Sequence, residues 1–397
     1  MGAMGEKALA GLSAARYQGA MDDTTDFDIY VVTTPGLESA LCAEMQAAGF
    51  AGLQAGKGGV STRGGWREAW RANLELRGAT RVLVRIGAFR ALHLAQLDKR
   101  ARRFPWADFL RTDVPVRVEA SCTKSRIYHA GAAAERITRA ITEELGAAIA
   151  DDADIVIKAR IDDDLCTLSI DTSGEALHKR GHKEAVNKAP MRETMAALFL
   201  RQCGYDGQEP VVDPMCGSGT FVIEAAEIAA GLKPGRSRAF AFEKLAGFDA
   251  AAWSALKASP PAVAGTPPTV RFHGSDRDAG AVKMSQENAA RAGVEDRVQF
   301  RHHAISDLTA PDGPPGLVIV NPPYGGRIGD TKQLYALYGA LGKVLRERFA
   351  GWRAAIITNE PALAKVTDLP FLPTTAPVLH GGIKVTLYQT APLPPAA

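Results

Sequence analysis

The tetrapeptide Asn321-Pro322-Pro323-Tyr324 carries the clearest chemistry in the chain. It directly follows Leu317-Val318-Ile319-Val320, an apolar run that reads as a buried parallel strand. Open α/β sheets gather ligands at the carboxyl edge, where such a strand ends. There the Asn321 side chain and the Pro322 carbonyl can each accept a hydrogen bond from an amino group. Pro323 stiffens the turn, and Tyr324 offers an aromatic face. An exocyclic amine on a purine is a poor nucleophile, because its lone pair is delocalised into the ring. Two acceptors favour a pyramidal nitrogen and stabilise the positive charge that grows as a methyl group arrives. Stacking on Tyr324 would contribute ~1–3 kcal/mol. No strong general base is needed, since the product ammonium loses its proton easily. The implied chemistry is methyl transfer onto a nucleobase nitrogen; the bland alternative is a proline-rich turn after a strand.

Two further motifs supply a methyl donor. Asp213-Pro214-Met215-Cys216-Gly217-Ser218-Gly219-Thr220 lies between a short strand and a helix. Gly217 and Gly219 allow a tight turn and close backbone approach to a ligand. The N–H groups of the following helix suit a methionine carboxylate, and Asp213 suits its ammonium. This is neither G-x-G-x-x-G nor a P-loop, which weakens the dinucleotide reading. Gly274-Ser275-Asp276 ends the next strand, where an acidic residue can accept both hydroxyls of a ribose. A surface aspartate at a strand end is common, so this motif gains its meaning from the other two. Cys216 reads as a small residue beneath the cofactor, without nucleophilic function.

The elements that must hold these motifs fall into two halves. In the first, Phe27–Val32, Arg81–Ile86, Pro115–Ala120, and the pair Ile155–Arg160 and Cys166–Asp171 read as strands, the last two as a hairpin around Asp162-Asp163-Asp164. Helices are expected over Pro35–Ala48 and Ala132–Leu145. The second half, from about Pro190, alternates strands (Val211–Asp213, Val270–Ser275, Val298–His302, Leu317–Val320, Ala354–Thr358) with helices (Thr220–Ala230, Ala279–Ala292, Leu334–Phe349), and Ile383–Gln389 closes it. This β-α alternation implies a parallel sheet covered on both faces. A Pro/Ala/Gly-rich insert, about Lys233 to Pro268, interrupts it. The expected fold class is α/β, a Rossmann-like sheet preceded by an α+β region.

Composition is that of an ordinary globular protein: 397 residues, 46% hydrophobic, 23% charged, net charge +3. No stretch approaches the ~20 apolar residues of a membrane helix. Cys42, Cys122, Cys166, Cys203 and Cys216 are scattered, with no C-x-x-C pair, so neither a zinc site nor a disulfide framework is expected, and a reducing cytoplasm is. His178, His182, His302 and His303 lack a convincing ligand set and are read as polar or packing residues, not metal ligands.

With these motifs in place, the second half resembles the class I S-adenosylmethionine-dependent methyltransferases that act on exocyclic amino groups of nucleic-acid bases. Leu177-His178-Lys179-Arg180-Gly181 and Ala189-Pro190-Met191-Arg192-Glu193-Thr194-Met195-Ala196-Ala197 are similar to the linker and first helix of THUMP-domain RNA methyltransferases. The strongest resemblance is to the N-terminal half of bifunctional bacterial enzymes that form N2-methylguanosine in 23S rRNA. It covers about Phe27 to Gln389. It implies a ferredoxin-like domain at 27–98, a THUMP RNA-binding domain at 99–174, a linker at 175–189 and a class I methyltransferase domain at 190–397; the preceding 1–26, without the basic-then-apolar layout of a secretory signal, reads as a flexible leader. It places Glu193, Thr194, Asp213, Pro214, Cys216, Gly217, Ser218, Gly219, Thr220, Asp276 and Asn321 around S-adenosyl-L-methionine, and Asn321, Pro322, Pro323 and Tyr324 around the target base. One departure stands out: family members often place an Asp near the cofactor adenine after the third strand, where this chain has Ala304, so the contact falls to a backbone group or a shifted residue such as Asp307.

The charge pattern fits RNA. From Leu97 to Ala140 ten Lys/Arg face five acids. Lys124, Arg126 and Tyr128 mix basic and aromatic groups as RNA surfaces do, and Lys179, Arg180, Lys183 and Lys188 sit beside the catalytic half. Each could instead be a solvated surface charge. The expected partner is structured RNA, 23S rRNA first and tRNA second; oligomeric state stays open. The alternatives are a tRNA guanine-N2 methyltransferase, an adenine-N6 DNA or RNA methyltransferase, and a non-catalytic RNA-binding assembly factor. The tetrapeptide by itself does not choose guanine over adenine.

Overall fold

The computed structural model describes residues 26–183, 191–260, 271–324 and 331–395. Apart from Asp26, the expected leader lies outside these residues, and so does Lys188. The first half runs β1 (Phe27–Val32), α1 (Glu38–Ala47), β2 (Gln54–Gly56), β3 (Gly59–Gly64), α2 (Trp66–Glu75), β4 (Arg81–Arg90), α3 (Leu94–Arg102), β5 (Val116–Thr123), α4 (Ala130–Leu145), β6 (Ile155–Asp162) and β7 (Leu165–Asp171). The second runs α5 (Glu193–Gln202), β8 (Val211–Asp213), α6 (Thr220–Ala229), α7 (Ala250–Ala258), β9 (Phe272–Asp276), α8 (Ala279–Ala292), β10 (Val298–His302), β11 (Leu317–Val320), α9 (Thr331–Arg348), β12 (Arg353–Thr358), α10 (Pro361–Val366), β13 (Val378–His380) and β14 (Ile383–Gln389).

The first seven strands form one sheet in the order β2-β3-β1-β4-β7-β6-β5. β1 alternates buried Phe27, Ile29 and Val31 with partly exposed neighbours, as a strand with one covered face should. β4 is longer than the alternation suggested. Arg81 to Arg85 pair with β1, and Leu83 to Arg90 pair with β7 across a bulge between Arg85 and Gly87. The strands on either side of the expected 98/99 boundary therefore share one hydrogen-bonded sheet, and residue 98 lies within α3. The expected β6–β7 hairpin turns on Asp163 and Asp164, both left-handed, at φ 50° and 59°.

The second sheet has the order β10-β9-β8-β11-β12-β14-β13. β8 to β12 are parallel, and β14 is antiparallel to β12. Counted from β8 the order is 3-2-1-4-5-7-6, the Rossmann-like arrangement of class I methyltransferases. The order reverses between β8 and β9 on one side and β11 on the other, which brings the tips of these three strands together.

The insert after α6 does more than interrupt the chain. Its Phe242, Phe248 and Trp253 pack on Trp70 of α2, with Phe240 behind Phe242 and Trp253: Trp70 stacks on Phe242 at 5.6 Å, and Trp253 meets Trp70 edge-on at 6.2 Å. Burial of these rings fastens the two sheets' layers together. Among the described residues no helix is long and apolar enough to cross a membrane.

Candidate functional site

The glycine-rich segment turns sharply between β8 and α6. Gly217 and Gly219 hold φ of 55° and 82°, values that favour glycine. A Cβ on Gly219 would also lie 3.1 Å from the Ser285 side chain. The loop is tied on all sides. Cys216 N donates to Ser275 O (2.9 Å), Gly217 N to Asp276 Oδ2 (3.0 Å), Ser285 Oγ to Gly217 O (2.9 Å) and Asn288 Nδ2 to Ser218 O (3.0 Å). The expected ribose acceptor and the glycine loop are thus one hydrogen-bonded unit. Each oxygen of Asp276 already accepts one backbone N–H, from Gly217 or Asp278, and keeps a second lone pair for a hydroxyl.

Asp213 ends β8 fully buried, its Oδ1 accepting from Met215 N at 3.1 Å. Burial pushes its carboxyl up to about 8; the Met215 N–H opposes this and the negative charge of Asp276 adds to it. Such a group favours a cationic neighbour. Burial also raises the Cys216 thiol well above its ordinary range, which keeps it protonated and agrees with a packing role.

β11 delivers the tetrapeptide. All four of its residues are buried, and Asn321 follows half-buried at its tip. Asn321 Oδ1 is buried without a hydrogen-bond partner among the described residues, and so is Thr194 Oγ1 near the start of α5. A buried unpaired acceptor costs roughly 1–3 kcal/mol, which a donor from a ligand would relieve. Pro322 is buried, and the Pro323 carbonyl lies 3.4 Å from the Tyr338 hydroxyl of α9. Tyr324 departs from the expected open stacking face. It is fully buried, and its hydroxyl lies 3.0 Å from His380 Nδ1 of β13. A base can stack on this ring only once the ring face is uncovered.

Two of the basic linker residues are corrected. Arg180 is 2% exposed and pairs with Glu224 and Glu227 of α6. The same carboxylates bind Arg77, from the connection between α2 and β4, and Glu227 also binds Arg236 of the insert. Arg180 therefore ties linker to catalytic sheet and cannot reach a phosphate. Lys183 is nearly buried as well, donating to Met191 O (2.8 Å) and Thr220 Oγ1 (2.9 Å) and lying 3.4 Å from Glu193. It lines a small cleft with Glu193, Ser218 and Thr220, residues expected around the cofactor. Burial, then neighbouring cations led by Arg192, hold the His178 imidazole down at about 4.

Lys124, Arg126 and Tyr128 lie on the surface as the RNA reading requires: Tyr128 is 85% exposed, and Arg126 is loosely paired with Asp164 at 3.8 Å. Lys179 is exposed and bound to Glu175 at 2.8 Å. Asp307 is exposed in a 3-10 turn after β10. Among the described residues no group of three His, Cys, Asp or Glu is placed to hold a metal ion. Sequence reasoning missed Ser285, Asn288, His380, Glu224 and Glu227. None sits in a motif, and the two glutamates are unusual only as buried acids on the core face of a helix.

The profile of the RMKL-like methyltransferase domain matches residues 180–384, and that of the RlmL ferredoxin-like domain matches residues 28–83. The chain is 35% identical over 354 residues to the ribosomal RNA large subunit methyltransferase K/L of Syntrophotalea carbinolica, covering 85% of this chain and 50% of that protein. It thus spans about half the length of this curated relative. The structure of SMU.472 complexed with SAH superposes with a TM-score of 0.84 at 27% identity, over 93% of this chain and 99% of that one. A protein from Listeria monocytogenes, described as a predicted N6-adenine-specific DNA methylase, superposes at 0.82 with 29% identity, over 92% and 96%.

Proposed function

We propose that this chain, which belongs to the RMKL-like methyltransferase family, transfers a methyl group from S-adenosylmethionine to guanine N2 in 23S rRNA. The observation that carries the reading is the buried Asn321 Oδ1, without a partner among the described residues, at the tip of β11, the strand paired with β8, which carries Asp213. An amino donor from a flat base answers that atom's need.

The residues fit the cofactor. Asp213, raised by burial, suits the ammonium; the helix start at Thr220 suits the carboxylate; Asp276 keeps lone pairs for ribose hydroxyls. When bound, S-adenosylmethionine supplies an electrophilic methyl group. Asn321 orients the target nitrogen and accepts a hydrogen bond from one of its N–H groups as positive charge develops there. The Pro322 carbonyl accepts a hydrogen bond from the other. The ring of Tyr324, once uncovered, would fix the plane of the base and so the direction from which its nitrogen meets the methyl donor. The target base leaves its stack to enter this pocket.

The domains are proposed as ferredoxin-like at 27–98 and THUMP at 99–174, sharing one sheet, with the exposed Lys124, Arg126 and Tyr128 gripping RNA by phosphate and stacking contacts. A cytoplasmic location follows from an rRNA substrate. The second reading is adenine N6, because Asn321 and Pro322 accept from either amine; the description of the Listeria neighbour favours it.

The test uses 23S rRNA from a strain lacking the gene, labelled S-adenosylmethionine and nucleoside mass spectrometry. N2-methylguanosine is expected; N6-methyladenosine would replace the reading, and no methylated nucleoside in any RNA would refute it. Asn321→Ala should abolish turnover and leave cofactor affinity within about twofold. Loss of both together would make Asn321 structural.

A further inference from the structure

We propose that His380 is a positioning residue of the base pocket, fixing the hydroxyl tip of Tyr324. The inference rests on the base-pocket reading of Asn321 to Tyr324. His380 ends β13, the edge strand of the second sheet, 56 residues beyond Tyr324. Its Nδ1 lies 3.0 Å from the Tyr324 hydroxyl, and both side chains are buried, at 4% and 0% exposure. A hydrogen bond between two groups this deeply buried is shielded from competing water, which strengthens its hold on the phenol tip.

The geometry suits positioning. The hydroxyl lies on the long axis of the tyrosine ring. A bond there fixes where the tip sits while the ring plane can still turn to meet a base. His380 itself is held firmly. It pairs with Ile383 across a turn of Gly381 and Gly382, both left-handed, at φ 57° and 85°. On the other side, β13 is braced by the first half of the molecule. Gly36, between β1 and α1, approaches so closely that a Cβ would sit 3.0 Å from Pro377 O and 3.3 Å from Val378 Cγ2. The histidine is thus carried by a strand held between β14 and the half expected to grip RNA. That links the RNA-binding half to the wall of the base pocket through Val378, His380 and Tyr324.

Two measurements test this, one independent of methyl transfer. In protein labelled with 15N-histidine, the His380 signals are assigned by their loss in His380→Asn. Tyr324→Phe should shift the His380 Nδ1 resonance; an unmoved resonance overturns the pairing, whatever the substrate. In the methylation assay, His380→Leu should lower kcat/KM for RNA roughly five- to tenfold and leave cofactor affinity unchanged. His380→Asn, which keeps a polar atom near the Nδ1 position, should restore part of the loss. Tyr324→Phe combined with His380→Leu should lose no more than Tyr324→Phe alone. Additive losses, or a matching loss of cofactor affinity, would make His380 a packing residue and overturn the proposal. If wild-type protein methylates no RNA, the proposed function fails, and the resonance shift still decides the pairing.

Discussion

Replacing Asp213 with Asn should stabilise the protein without cofactor and weaken cofactor binding, both in a pH-dependent way. The carboxyl is fully buried and raised from an ordinary 3.8 to about 8. Between those values the folded chain binds a proton that the unfolded chain has released. Stability from this group is therefore full below about pH 4 and is lost as pH rises toward 8. At neutral pH the cost of keeping the acid neutral is ~4 kcal/mol, at 1.36 kcal/mol per pH unit. Asn keeps an oxygen for Met215 N–H but adds an amide that needs an acceptor, which costs ~1–3 kcal/mol. The net gain at pH 7 is then ~2 kcal/mol, near zero at pH 5 and largest at pH 8 and above. Urea unfolding followed by tryptophan fluorescence at pH 5, 6, 7, 8 and 9 measures it. An offset that stays constant from pH 5 to 8, or a variant less stable at pH 8, would refute the argument that Asp213 is a strained, ligand-seeking acid. Cofactor affinity of the variant should fall most at pH 8, where the native carboxylate gains most from a cation.

Three further outcomes follow from the same structure. Binding of S-adenosylmethionine at pH 7 should release ~0.5–1 proton, because a cation beside Asp213 lowers its pKa; calorimetry in two buffers of different ionisation enthalpy detects it, and equal heats would contradict it. Arg180→Met should destabilise the fold by ~3–5 kcal/mol, since Glu224 and Glu227 lose a buried partner, yet leave the salt slope of RNA binding unaltered. Arg126→Ala should do the reverse, keeping stability within ~0.5 kcal/mol and lowering that slope by ~1. An Arg180 variant with full stability and weakened RNA binding would return that residue to the RNA surface.

Local chemistry was the legible part. β1, β10, β11 and β14 and helix α8 begin and end where the apolar pattern placed them, because a strand buried on one or both faces writes its period into the sequence. The glycine loop, Asp276 and Asn321 were readable because each is a backbone or hydrogen-bond requirement met within a few residues. β2, β3, α2 and α7 leave no clear pattern in the sequence, and neither does the role of the insert, whose aromatic residues form the contact with Trp70. That contact joins residues more than 170 positions apart and leaves no periodic trace.

Basic residues were where sequence and structure parted most. Lys179, Arg180 and Lys183 look alike in the chain, yet the first is solvated and the other two are buried among carboxylates. Charge is a property of the residue, whereas burial belongs to the packed molecule: only the fold brings Glu224, Glu227 and Glu193 to the linker. The same holds at the opening tetrapeptide. The sequence by itself determined that Asn321 and Pro322 present acceptors at a strand tip, since strand, proline and amide suffice for that. Only the tertiary structure decided that Asn321 Oδ1 is buried without a partner among the described residues and that Tyr324 is covered and tied to His380. Solvent exclusion and long-range pairing arise when distant elements close over a site, and no local pattern encodes them.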